Sequence, residues 1–164
     1  MFARFFDRFL WVLAAIAAGI FGAIAIVISI NVVLRNFGLP IIYGALDAIQ
    51  YALMIATFLG APWVLARNGH VQVDLLTSSL PPRAEDRLRR LTAVIGAITA
   101  SVLGWYGVQA ALASAGRGSM IRTSFIIPEW WMLSFVPASL ALCTIVFLRQ
   151  AVTGGTADRK LSGL

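Results

Sequence analysis

Four stretches of this 164-residue chain carry no charged side chain: residues 10–33, 48–66, 91–115 and 130–148. A hydrocarbon core of about 30 Å takes about 20 helical residues at about 1.5 Å each, so the first and third stretches span a bilayer with tilt and the other two just reach. They are expected to be helices, because an open strand edge in lipid leaves backbone groups unpaired at a cost on the order of several kcal/mol each. The pattern predicts an all-α integral membrane fold, one domain over residues 1–164 with four transmembrane helices.

The polar segments between the spans differ in character. Residues 36–44 (NFGLPIIYG) are short and rich in turn formers, which makes the first two helices antiparallel neighbours. Residues 67–90 form the longest polar segment, interrupted by Pro81 and Pro82, whose rings oppose a continuous helix there. Its second half, RAEDRLRR (83–90), has helical composition, with Arg83 and Arg87, and Glu85 and Arg89, at i,i+4 spacing. A short surface helix leading into the third span is expected. Residues 153–164 read as a flexible tail. At the other end, Arg4 and Arg8 precede apolar residues as in the start of a secretory signal. The run that follows is too long for one and is taken as the first membrane helix.

Composition sharpens the class. With 60% hydrophobic and 12% charged residues, a water-soluble domain of this length would have more apolar surface than interior to hide it in. The net charge of +6 does not point to nucleic acid, because the basic residues sit between apolar runs, where lipid headgroups and topology account for them. Ten fall on one side: Arg4, Arg8, Arg67, Arg83, Arg87, Arg89, Arg90, Arg149, Arg159 and Lys160. Only Arg35, Arg117 and Arg122 fall on the other. The excess of basic residues in cytoplasmic segments then places both termini, and the 67–90 segment with its surface helix, in the cytoplasm.

Candidate chemistry is sparse. A single cysteine, Cys143, and a single histidine, His70, form neither a disulfide nor a Cys/His metal site within one chain, and no histidine pair exists to hold a membrane haem. No two carboxylates share a span, as an intramembrane aspartyl protease would need, so an enzyme is not expected. No ionisable group lies inside any span either, although a self-sufficient ion-coupled carrier binds its substrate near the midplane. Asp47 and Glu129 open helices two and four, where each has an ordinary role at a helix N-terminus. Asn31, Gln50 and Gln109 are candidate interhelical hydrogen-bond partners. Small residues recur at four-residue spacing in helix one (Ala15, Gly19, Ala23) and helix three (Gly96, Ala100, Gly104), a pattern that serves packing within this chain or against a partner. Trp130 and Trp131 fit membrane-interface anchors. Pro62 and Pro137 are expected to kink helices two and four.

The sharpest local signal is RNGHVQVDLL (67–76), directly after helix two. As a helix it would set Arg67, His70 and Asp74 on one face; as an extended chain it would set Val71, Val73 and Leu75 against His70, Gln72 and Asp74. Both conformations remain open. With this segment the chain resembles, over nearly its full length, the small membrane subunit (the DctQ-like subunit) of tripartite ATP-independent periplasmic, or TRAP, transporters. The resemblance rests on Arg35 closing helix one, Asp47 opening helix two, FLGA at 58–61, the pattern Arg67, Gly69, His70, Val71, Val73, Asp74, and Pro128 with Trp131 before helix four.

That resemblance implies a secondary transporter of the bacterial inner membrane that imports an organic acid with a periplasmic binding protein and an ion gradient. It implies that a large multispan subunit holds the substrate and sodium sites, and that this chain is a non-catalytic scaffold with no substrate site or cofactor of its own. Arg35, Asp47, Arg67, Gly69, His70 and Asp74 become motif or interface candidates, and the outer residues Arg35, Asp47, Arg117, Arg122 and Glu129 become candidates for docking the soluble partner. The alternative is a self-contained small four-helix carrier working as a homodimer, which would want a glutamate in its first membrane helix; helix one has none.

Overall fold

The computed structural model describes residues 2–40, 42–67 and 82–153. In chain order these form α1 (Phe2–Asn36), α2 (Ala45–Ala66), α3 (Pro82–Arg117), a two-stranded antiparallel hairpin of β1 (Met120–Arg122) and β2 (Ile126–Pro128), and α4 (Glu129–Thr153). All four helices are long and apolar enough to cross a membrane.

α1 and α3 run well past the charge-free stretches. Charge keeps a residue out of the hydrocarbon but does not stop a helix, so α1 takes in Arg4, Asp7 and Arg8. Pro82 is the first residue of α3, the position where its missing N–H costs nothing. From there the helix is continuous: RAEDRLRR, expected as a short surface helix, is the beginning of the same helix that carries the third apolar stretch. The 35 and 36 residues of α1 and α3 make each roughly 50 Å long at about 1.5 Å per residue, longer than the hydrocarbon is thick. α2 and α4 continue through Pro62 and Pro137.

Glycine ends α1 and α3 in the same way. Beyond α1, Leu39 N–H donates to Leu34 O (3.0 Å) and Gly38 N–H to Arg35 O (3.2 Å), with Gly38 at φ 69°. Beyond α3, Ser119 N–H donates to Ser114 O (3.2 Å) and Gly118 N–H to Ala115 O (3.1 Å), with Gly118 at φ 62°. This paired closure satisfies carbonyls that the helix leaves without partners and needs a left-handed residue, which glycine supplies without strain.

The helices pack in the order α1, α2, α4, α3. α3 meets α4 through small residues: Ala93, Ala97 and Ala100 are buried, a Cβ on Gly96 would lie 2.6 Å from the Phe147 ring, and Gly104 and Gly107 face Leu140 and Pro137. At the end carrying both chain termini, Phe6 and Leu10 of α1, Leu65 of α2, and Cys143 and Val146 of α4 close into one apolar cluster. Elsewhere large aliphatic and aromatic side chains, such as Ile98, Leu112 and Trp105, are exposed. In water that surface would be untenable; in lipid it is the solvated one.

Candidate functional site

The polar contacts concentrate at the two ends of the helices. At the loop end, opposite the termini, both connections are tied to the helices and to each other. Asn31 of α1 accepts the Ile42 N–H on its Oδ1 at 3.1 Å, which holds the first connection down. That connection enters α2 through Gly44, at φ 73°, where a Cβ would sit 3.0 Å from the Phe125 ring and 3.1 Å from Ser124 Cβ. A side chain at Gly44 would push the hairpin away.

One turn further on, Asp47 accepts the Ser124 N–H on Oδ2 at 2.9 Å, and Tyr51 shares a hydrogen bond of 2.8 Å with the Thr123 hydroxyl. The hairpin arises because Ile126 and Ile127 favour strand and pair with Arg122 and Ile121, leaving Thr123, Ser124 and Phe125 as its turn. A turn N–H has no ladder partner, so the Asp47 carboxylate supplies one. At the base of the hairpin the buried Ser114 donates to Glu129 Oε2 at 2.8 Å, and Glu129 N–H donates to Ser119 O at 3.1 Å. Asp47 and Glu129 do lie in the first turns of α2 and α4, where the helix dipole favours them. Their second task, gripping the hairpin and the end of α3, had no signal in the sequence beyond the turn-forming Thr-Ser pair.

The arginines of this end are placed differently. Arg35 ends α1, Arg117 ends α3 and Arg122 lies in β1; all three are exposed, and none forms an ion pair among the described residues. Trp130 and Trp131 are exposed in the first turn of α4.

At the termini end, the Asp7 carboxylate and the Arg149 guanidinium form a two-point ion pair, Nη1 to Oδ1 and Nη2 to Oδ2, the second at 3.1 Å. Gln150 Nε2 donates to Leu65 O at 3.1 Å. Asp7 and Arg149 lie 142 positions apart, and nothing local in the sequence announces the pair. Arg67 closes α2 with its guanidinium carbon 5.4 Å from the centroid of the Trp63 ring, a cation–π contact. The rest of that motif, Gly69, His70 and Asp74, lies outside the described residues, as does 154–164 of the expected tail.

The two small-residue rows have opposite surroundings. Gly96, Ala100 and Gly104 lie on the α3/α4 seam. Ala15, Gly19 and Ala23 are exposed, with nothing within 4 Å of a Cβ on Gly19; the small contact that α1 makes is Ala17 against Gly60, at 3.6 Å. Gln50 and Gln109 are also exposed and make no hydrogen bond among the described residues, in contrast to Asn31.

The chain thus combines four long apolar helices with an acidic residue at the start of the second and a tryptophan pair at the start of the fourth. The model of the family described as "Tripartite ATP-independent periplasmic transporters, DctQ component" matches residues 24–155. This chain belongs to the DctQ family. A search of curated proteins gives no match. As a DctQ protein the chain is the small membrane component of a TRAP transporter and is not an enzyme. The matched range takes in the end of α1, all of α2, α3 and the hairpin, and α4, and so contains Arg35, Asp47, Arg67, Glu129 and both ends of the α2/α4 contact.

Proposed function

We propose that this DctQ chain is the fixed scaffold of its transporter. A large multispan subunit, holding the substrate and sodium sites, moves against it, and a periplasmic binding protein delivers an organic acid. The chain then lies in the bacterial inner membrane with both termini in the cytoplasm and the loop end in the periplasm. The observation that carries this reading is how its polar side chains are used: Asp7, Asp47 and Glu129, the carboxylates whose side chains the structure describes, each accept a hydrogen bond that fixes one element to another. A carrier would turn such groups on its solute and ions; a scaffold uses them to hold its helices.

On this reading the loop end meets the binding protein. Of its five charged candidates, Asp47 and Glu129 are engaged within the chain, whereas Arg35, Arg117 and Arg122 are exposed and without an ion-pair partner among the described residues. An acidic surface on the binding protein is what this face complements.

The test is to express the chain with an affinity tag in its native host, solubilise the membrane gently and identify by mass spectrometry what co-purifies in stoichiometric amount. A single larger multispan membrane protein near one-to-one is the expected result. A homodimer with nothing attached would overturn the scaffold reading in favour of a small self-contained carrier.

A further inference from the structure

The packing order divides the chain into two pairs, α1 with α2 and α3 with α4, which meet where α2 touches α4. Polar side chains bridge the pairs at both ends of that meeting. At the loop end Asp47 of α2 accepts the Ser124 N–H, and Tyr51 of α2 shares a hydrogen bond with the Thr123 hydroxyl, both on the hairpin carried between α3 and α4. At the termini end Asp7 of α1 takes two guanidinium nitrogens of Arg149 on α4, and the neighbouring Gln150 donates to Leu65 O in the last turn of α2. Each of these contacts runs from one pair to the other.

We infer that these are two clasps which lock the helix pairs into one rigid unit, each governing its own end. Two of the partner groups are backbone: a turn N–H without a ladder partner and a carbonyl in the last turn of a helix, both of which ordinarily look for partners outside their own element. Backbone groups do not swing away as side chains do, so a side chain that takes one fixes the position of the whole element. Asp47 and Gln150, which take those backbone groups, are the positioning residues, one at each end, and the Arg149 pair with Asp7 supports the second. The inference concerns contacts within this chain and stands or falls independently of the scaffold reading, because it is tested on the full chain alone.

The experiment measures distances between spin labels in the full-length chain in lipid nanodiscs, on a Cys143→Ala background. One label pair reports the loop end, at the exposed positions Val33 on α1 and Leu112 on α3, and a second reports the termini end, at Trp11 and Leu91, each replaced by cysteine. With both clasps intact each pair is expected to give one narrow distance. Asp47→Ala combined with Tyr51→Phe is expected to broaden the loop-end distribution and leave the termini end narrow; Arg149→Ala combined with Gln150→Ala is expected to do the reverse. Asp47→Asn keeps an oxygen for the Ser124 N–H and is expected to stay narrow, and Asp7→Arg combined with Arg149→Asp is expected to restore the termini end. If the alanine variants lose helicity by circular dichroism, Asp47→Leu combined with Tyr51→Phe, and Arg149→Met combined with Gln150→Met, which remove the same hydrogen bonds while keeping side-chain bulk, replace them with the same outcomes expected. Narrow distributions at both ends with both clasps removed would overturn the inference. So would an Asp47→Asn or charge-reversed variant that behaves like the alanine variants.

Discussion

Gly96 and Gly19 are one residue type on two helices with opposite surroundings. A Cβ at Gly96 would meet the Phe147 ring at 2.6 Å, whereas one at Gly19 would meet nothing within 4 Å. Gly96→Val is therefore expected to cost the isolated chain about 1–3 kcal/mol, the usual range for overpacking, and Gly19→Val to stay within about 0.5 kcal/mol. Thermal unfolding in detergent checks both, and equal effects would contradict the packing described. Ser114 makes a second case, since it is fully buried and its hydroxyl donates to Glu129. Ser114→Ala removes the donor from a charged acceptor and is expected to cost about 1–3 kcal/mol; Glu129→Gln, which keeps an acceptor oxygen, should cost less. The four-residue spacing in the sequence named both glycine rows as packing candidates without distinguishing a filled one from an open one. Spacing along a helix reports which residues share a face, and what covers that face is a property of other helices.

Among elements, the three glycines at positive φ among the described residues divide by their surroundings. Gly38 and Gly118 close helices with open space around them, and Gly44 enters α2 beneath Phe125 and Ser124. Asparagine tolerates left-handed backbone, so Gly38→Asn is expected to change stability by no more than about 0.5 kcal/mol. At Gly44 the same substitution also has to displace the hairpin; a cost of at least about 1 kcal/mol is expected, together with looser hydrogen-exchange protection at the Ser124 amide. Unchanged protection there would mean that Phe125 and Asp47 do not jointly hold the turn. The sequence marked residues 36–44 as a turn-rich connection, and Arg83–Arg90 as helical. It led that segment into the third span as a separate short helix and gave no reason to make the two one, because the change from charged to apolar residues marks a boundary in solvent, which the single helix α3 crosses.

At the scale of the whole molecule the two ends carry different predictions. On the proposed orientation, which puts the termini in the cytoplasm, a cysteine replacing Tyr43, 85% exposed in the first connection, is expected to react with a membrane-impermeant maleimide added to intact spheroplasts of a Cys143→Ala strain. One replacing Val152, near the end of α4, is expected to react only after permeabilisation. The reverse pattern would invert the topology. For docking, Arg117→Glu combined with Arg122→Glu is expected to weaken association of the assembled transporter with its binding protein and to flatten its dependence on salt, because rim charges act chiefly on encounter. Assembly of the membrane subunits should be unaffected. Association that is unchanged by the double reversal at low ionic strength would remove these arginines from the docking surface.

The sequence by itself determined that this is a four-helix membrane protein and which family it belongs to. The first follows because a bilayer imposes length and apolarity on each span separately, so each is readable from its own residues. The second follows because the His-Val-x-Val-Asp segment and the residues at the helix ends are local patterns. Only the tertiary structure decided that Asp47 reaches Ser124, that Asp7 meets Arg149, that the Gly96 row of α3 is packed and the Gly19 row of α1 is open, and that the arginines of the loop end have no acidic partner among the described residues. Each of these depends on which helices become neighbours. Residues far apart in the chain meet only when whole helices pack, and lipid, which solvates apolar faces alike, leaves that choice to close fit and to the few polar groups at the helix ends.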